Sequence, residues 1–137
     1  MKKLYAAFLI IICLFSFASC DAPGVYKLDD YLPPLIDITT QYPYITSIEV
    51  TDNTSGASLE FVDSANLDSI RMRLEGIKCI REKDDGSYPI VYTIVFNTTD
   101  SVFTIGIASE NDYVIDGYHY EAMRSGVDML YFAGLFN

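Results

Sequence analysis

The stretch PIVYTIVFNTTDSVFTIGIA, residues 89–108, decides the fold class. Ile90, Tyr92, Ile94 and Phe96 alternate with Val91, Thr93 and Val95, so its first half reads as a strand with apolar residues on both faces. That pattern belongs to a central position in a sheet. Asn97-Thr98-Thr99-Asp100 is turn chemistry, because Asn and Asp side chains bond their own backbone. Beyond it Phe103, Ile105 and Ile107 alternate with smaller residues, which makes residues 101–108 the return strand of an antiparallel pair.

Working toward the C-terminus, residues 113–115 and 118–120 flank Asp116-Gly117, a strong signal for a two-residue hairpin. A helix is expected from about residue 125 to 136, carrying Val127, Leu130, Tyr131 and Leu135. Working back, residues 78–82 form a short strand turned by Asp84-Asp85-Gly86. Before it, Leu67, Ile70, Leu74 and Ile77 recur at three- and four-residue intervals, with Asp63 or Ser64 as cap and Gly76 at the end, which predicts a helix. Residues 45–51, with Thr46, Ile48 and Val50 on one face, pair with residues 57–61 through the turn Asp52-Asn53-Thr54-Ser55-Gly56. The expectation is an α+β domain over residues 44–137: a single antiparallel sheet of about six strands in β-β-α-β-β-β-β-α order, with one or two helices packed on it.

The N-terminus has a different character. Lys2 and Lys3 precede a nearly unbroken apolar run from Leu4 to about Phe17. Some fourteen helical residues span about 21 Å, short of the roughly 30 Å hydrocarbon core, so an export signal fits better than a spanning helix. The run ends in Phe17-Ala18-Ser19-Cys20, which resembles the lipobox of bacterial lipoproteins, with Phe17 where that family usually has Leu. The resemblance implies that residues 1–19 are removed and that Cys20 carries a diacylglycerol and a fatty acyl chain, with no other cofactor. It implies a lipid-anchored protein on the extracytoplasmic face of the cell membrane. Asp21, directly after the cysteine, is in that family a signal for retention on the inner membrane where an outer-membrane sorting system exists.

Residues 20–43, with Pro23, Pro33, Pro34 and Pro43, read as a tether, onto which Leu32, Leu35 and Ile38 could dock. Some twenty extended residues would reach about 70 Å and lift the domain off the bilayer. The pattern of residues 44–137 also resembles small lipoproteins of Gram-positive bacteria whose domain has no assigned function. The carriers are Ile45-Thr46-Ser47-Ile48, the acid-capped helix and the Asp116-Gly117-Tyr118 turn. That resemblance implies a location and a fold, and no active residues.

Once Lys2 and Lys3 leave with the signal, seven basic residues face nineteen acidic ones, a net charge of −12 with His119 neutral. So negative a chain repels phosphates and anionic head groups, which argues against nucleic acid and against a polybasic membrane contact. Of three cysteines, Cys13 leaves with the signal and Cys20 is acylated, so Cys79 has no partner for a disulfide.

Cys79 and His119 are the only pair from which a nucleophile and its base could be built, but no helix start or glycine elbow activates the thiol. The favoured reading is a packed cysteine beside an unrelated histidine, and no catalytic residue is expected. Two acidic turns, Asp84-Asp85-Gly86 and Glu110-Asn111-Asp112, lack the alternating acidic spacing of a calcium loop, so no metal site is expected. Eleven tyrosines and no tryptophan are the compositional oddity. Most suit half-buried strand faces, but Tyr118 and Tyr120 share one strand face and are the expected exposed interaction patch. The sequence thus points to a non-enzymatic binding or interaction module of the cell envelope, contacting an envelope protein or a wall component. The alternatives are a small-ligand receptor or sensor accessory, and a surface enzyme using Cys79 and His119.

Overall fold

A computed structural model describes residues 24–35, 44–82 and 88–137. The export signal, Cys20, residues 36–43 of the tether and the Asp84-Asp85-Gly86 turn lie outside these described residues.

The fold is α+β: one antiparallel sheet, eight-stranded among the described residues, with two short helices on it. The strands are β1 (Val25–Lys27), β2 (Ile45–Asp52), β3 (Ala57–Phe61), β4 (Lys78–Arg81), β5 (Tyr92–Thr98), β6 (Val102–Ile107), β7 (Asp112–Ile115) and β8 (Tyr118–Ala122). Helix α1 spans Ser64–Met72 and α2 spans Met129–Gly134. Across the sheet the order is β1-β4-β8-β7-β6-β5-β2-β3. The meander β5 to β8 is the middle. The hairpin β2–β3 flanks β5, and α1 carries the chain across one face from the β3 edge to β4.

Cross-strand registers place Ile48, Val50, Tyr92, Ile94, Ile105, Ile107, Tyr113 and Tyr120 on the same face, and all are buried. Leu67, Ile70, Leu74 and Ile77 from the helix stripe, with Phe132 of α2, close over them. Each fully buried Ile or Phe contributes about 1.5–3 kcal/mol. The helices are joined by a hydrogen bond between Ser69 Oγ and the Tyr131 hydroxyl at 3.1 Å, and the Arg73 guanidinium lies 4.5 Å from the Tyr131 ring centroid. Asp63 caps α1 by accepting from Asn66 N at 3.0 Å.

Four expectations are revised. The strand count rises from about six to eight, partly because the segment read as tether is in the fold. Tyr26 of β1 stands opposite Cys79, and behind β1 Leu28 and Leu32 are buried at 0% and 6% exposure. Pro23 and Pro33 lie outside β1, so neither ring interrupts its ladder. A bulge between Ile45 and Ser47 shifts the face, so Ile45 enters the core and Thr46 is exposed. Ile90 is not in β5 and packs on Gly106, on the far face. The last helix starts at Met129 rather than near residue 125, capped by Asp128, which accepts from Leu130 N and Tyr131 N. Ahead of it Gly126 is pressed so tightly on the Glu110 carbonyl that a Cβ would collide with that oxygen.

Candidate functional site

Cys79 and His119 sit on neighbouring strands and on opposite faces. Cys79 faces Ala122 across the β4–β8 ladder, and His119 lies three residues before Ala122, so its side chain leaves the other side of the sheet. Cys79 is wholly buried in the core, its Sγ 3.6 Å from the Tyr26 carbonyl oxygen, and burial pushes its thiol up to about 11. The sheet therefore stands between the thiol and the only histidine.

His119 has a setting of its own. Its Nε2 lies 2.9 Å from Asp112 Oδ1, and Ser109 Oγ donates to the other oxygen of that carboxylate at 2.5 Å. The chain of contacts is Ser–Asp–His, with the carboxylate in the middle, so the imidazole is not placed to take the serine proton. The Tyr88 ring stacks on the imidazole with centroids 3.6 Å apart. Nδ1 is buried and meets no hydrogen-bond partner among the described residues. The acidic turn Glu110-Asn111-Asp112 is thus a structural corner: Asp112 holds His119, and the Glu110 carbonyl accepts from the Tyr113 hydroxyl at 2.6 Å and from Val127 N at 2.9 Å. Among the described residues no three His, Cys, Asp or Glu side chains gather as metal ligands would.

The two tyrosines expected to form an exposed patch part company. Tyr118 is 42% exposed, with the Arg81 guanidinium 3.4 Å above its ring. Tyr120 is 4% exposed, and its ring packs edge-on against Tyr26 at 5.6 Å and beside Tyr31 at 5.8 Å. The shared face was read correctly, but that face is the core side, so Tyr120 anchors β1 instead of meeting a partner. Desolvation, with the Tyr120 hydroxyl 3.5 Å away, pushes the Tyr31 hydroxyl well above its ordinary range.

Sequence reasoning missed what surrounds the β1 edge. On the face away from the helices, Lys27 stands directly opposite Lys78, whose carbonyl accepts from Met123 N at 2.9 Å. One step along, Val25 stands opposite Ile80, which stands opposite Glu121. Ile80 and Met123 are 43% and 48% exposed. Beside them Lys78, Met123 and Arg124 line an open hollow of about 400 Å³. A second hollow of about 350 Å³, with Ile90, Thr93 and Val114 in its lining, lies farther along the same face. Charge is segregated over the sheet. Strands β2, β3, β5 and β6 carry no Lys or Arg but carry Glu49, Asp52 and Glu60, whereas β1 and β4 supply Lys27, Lys78 and Arg81, with Arg124 just past β8. The available signal was the absence of any Lys or Arg between residues 28 and 70 and between 84 and 123. Only the strand order shows that Lys27, Lys78 and Arg81 share one side of the sheet, while Arg71 lies in α1 and Arg73 just past it.

A scan against protein-family models found no match, and searches of the curated proteins and of the solved structures found none either. The functional reading therefore rests on this chain's own residues.

Proposed function

We propose that the protein is a lipoprotein of the bacterial cell envelope, anchored on the extracytoplasmic face of the membrane through acylated Cys20, and that its domain is a binding or interaction module rather than an enzyme. The observation that carries the reading is the order Lys2-Lys3, an apolar run of signal length, and Phe17-Ala18-Ser19-Cys20. The position of the first strand supports it, because β1 opens at Val25, five residues past Cys20, so the expected cleavage point lies ahead of the first strand. Two further observations favour binding over catalysis: the core seals Cys79 away from His119, and the carboxylate intervenes between Ser109 and the imidazole.

The test is metabolic labelling with a radioactive fatty acid in a host that processes lipoproteins. Wild-type protein is expected to take the label and stay with membranes, and Cys20→Ala to lose the label and leave them. An unlabelled wild type whose membrane association survives Cys20→Ala would overturn the proposal.

A further inference from the structure

We infer that the free edge of β3 takes up an extended segment of a partner protein as an added strand, with basic residues on the side of Glu60 alternating with apolar residues on the side of Leu59 and Phe61. The inference rests on reading the domain as a binding module, and adds which surface binds and the chemistry of what it binds. It does not depend on the lipid anchor.

The first argument is the backbone. Among the described residues β3 ends the sheet, with β2 on one side and no strand on the other. Asn53 N donates to the Val91 carbonyl at 2.8 Å, so Thr51 and Glu49 also address β5, while Asp52, Val50 and Ile48 address β3. In register, Ala57, Leu59 and Phe61 answer those three, and the N–H and C=O groups of Ser58 and Glu60 point out of the sheet. The register runs unbroken from Asp52 opposite Ala57 to Ile48 opposite Phe61. Bulges, prolines and lysines are the usual guards of such an edge, and β3 has none of them. The other edge strand, β1, is only three residues long, and the residues around it mix both signs of charge.

The second argument is charge. On the face away from the helices Glu60 stands directly opposite Glu49, and like charges so placed destabilise a ladder. Glu49 accepts from Ser58 Oγ at 2.7 Å, and among the described residues neither carboxylate is in an ion pair. Strands β2, β3, β5 and β6 hold no Lys or Arg, so a neutralising cation has to come from outside this half of the sheet. An added strand lies about 4.8 Å from β3, where a lysine or arginine opposite Glu60 meets that carboxylate and extends toward Glu49. A second copy of this chain would bring another Glu60 and another strongly negative surface, so charge opposes self-pairing.

The third argument is the other face of the same strand. Leu59 and Phe61 are half-buried at the rim of the core, and Val62 just beyond them is 68% exposed. Apolar side chains at alternate positions of the added strand would cover Leu59 and Phe61 while the basic ones meet Glu60.

The probe is a short acetylated and amidated peptide alternating lysine and valine, titrated into the full-length lipidated protein in neutral detergent micelles. Amide hydrogen exchange reads the edge directly. Ser58 and Glu60 are expected to exchange freely in the protein alone and to be protected once the peptide binds. A peptide of the same sequence methylated at every backbone amide keeps its charge but cannot donate to the edge, and is expected not to bind. Glu60→Gln is expected to weaken binding by up to about fivefold, the worth of one cross-strand ion pair, and Glu60→Lys by more. Equal binding of the methylated peptide, no loss with Glu60→Lys, or no binding at millimolar peptide would overturn the inference. Protection of Ser58 and Glu60 in a dimer of the protein alone would give the edge to a second copy and overturn it as well. The same titration with Cys20→Ala protein needs no lipid, so a failed anchor and a failed edge give different results.

Discussion

Cys79 shows how a single residue's role is set by what covers it. In sequence it is a lone thiol in a short strand, but in the fold it is a small apolar filler beneath Tyr26 and beside Tyr120. Burial raises its folded pKa from 9.0 to about 11, so the stability it contributes is fully present below pH 9 and lost as pH rises through about 11. Native protein is therefore expected to resist iodoacetamide at pH 8 and to react only after denaturant opens the fold. A thiol alkylated in the native state at the rate of a free cysteine would contradict this. His119 was equally unreadable at this scale, since nothing in its neighbours along the chain announces the Asp112 carboxylate or the Tyr88 ring. The Asp116-Gly117 turn, by contrast, was fully legible. Both residues have positive φ, 51° and 78°, as a two-residue hairpin of this hand requires, and only Asp, Asn and Gly adopt that readily.

At the level of elements, periodicity found those strands and helices whose faces differ in polarity. Helix α1 shows its stripe, its Asp63 cap and Gly76 at positive φ past its end, and the structure has all three. The N-terminal segment was misjudged because three strand residues between prolines carry too little pattern to be noticed, and the buried Leu28 and Leu32 lie outside any regular repeat. Their partners are Ile77 and Cys79, some fifty residues away, and only folding brings them together. Leu28→Ala is accordingly expected to destabilise the domain by about 2–5 kcal/mol, as in a full core position. Urea denaturation checks it, and a cost within about 0.5 kcal/mol of zero, typical of a surface site, would mean that the segment is a tether after all. The C-terminal helix was overextended for a similar reason: the Gly126 contact with the Glu110 carbonyl holds residues ahead of Asp128 off the helical path.

Lys and Arg are absent from the β2, β3, β5 and β6 half of the sheet, which is acidic, while the other side mixes Lys27, Lys78 and Arg81 with Asp29, Asp30, Glu82 and Glu121. The acidic half carries uncompensated repulsion, and salt relieves it. The urea midpoint of the folded protein is therefore expected to rise between about 10 mM and 500 mM sodium chloride, a range over which the screening length falls severalfold. A midpoint that falls with salt would show that the ion pairs near α1, Arg71–Glu75 and Arg73–Asp128, outweigh that repulsion.

The α+β class, the central hairpin, α1 and the tight Asp116-Gly117 turn were determined by the chain alone, because each is written in neighbouring residues through alternation, capping and turn chemistry. Tertiary structure decided that Tyr120 is core while Tyr118 is surface, that Cys79 and His119 face away from each other, and that Lys27 meets Lys78. Those outcomes depend on which distant strand lies alongside. Pairing between strands is settled by the closure of the whole sheet, and no local pattern encodes it.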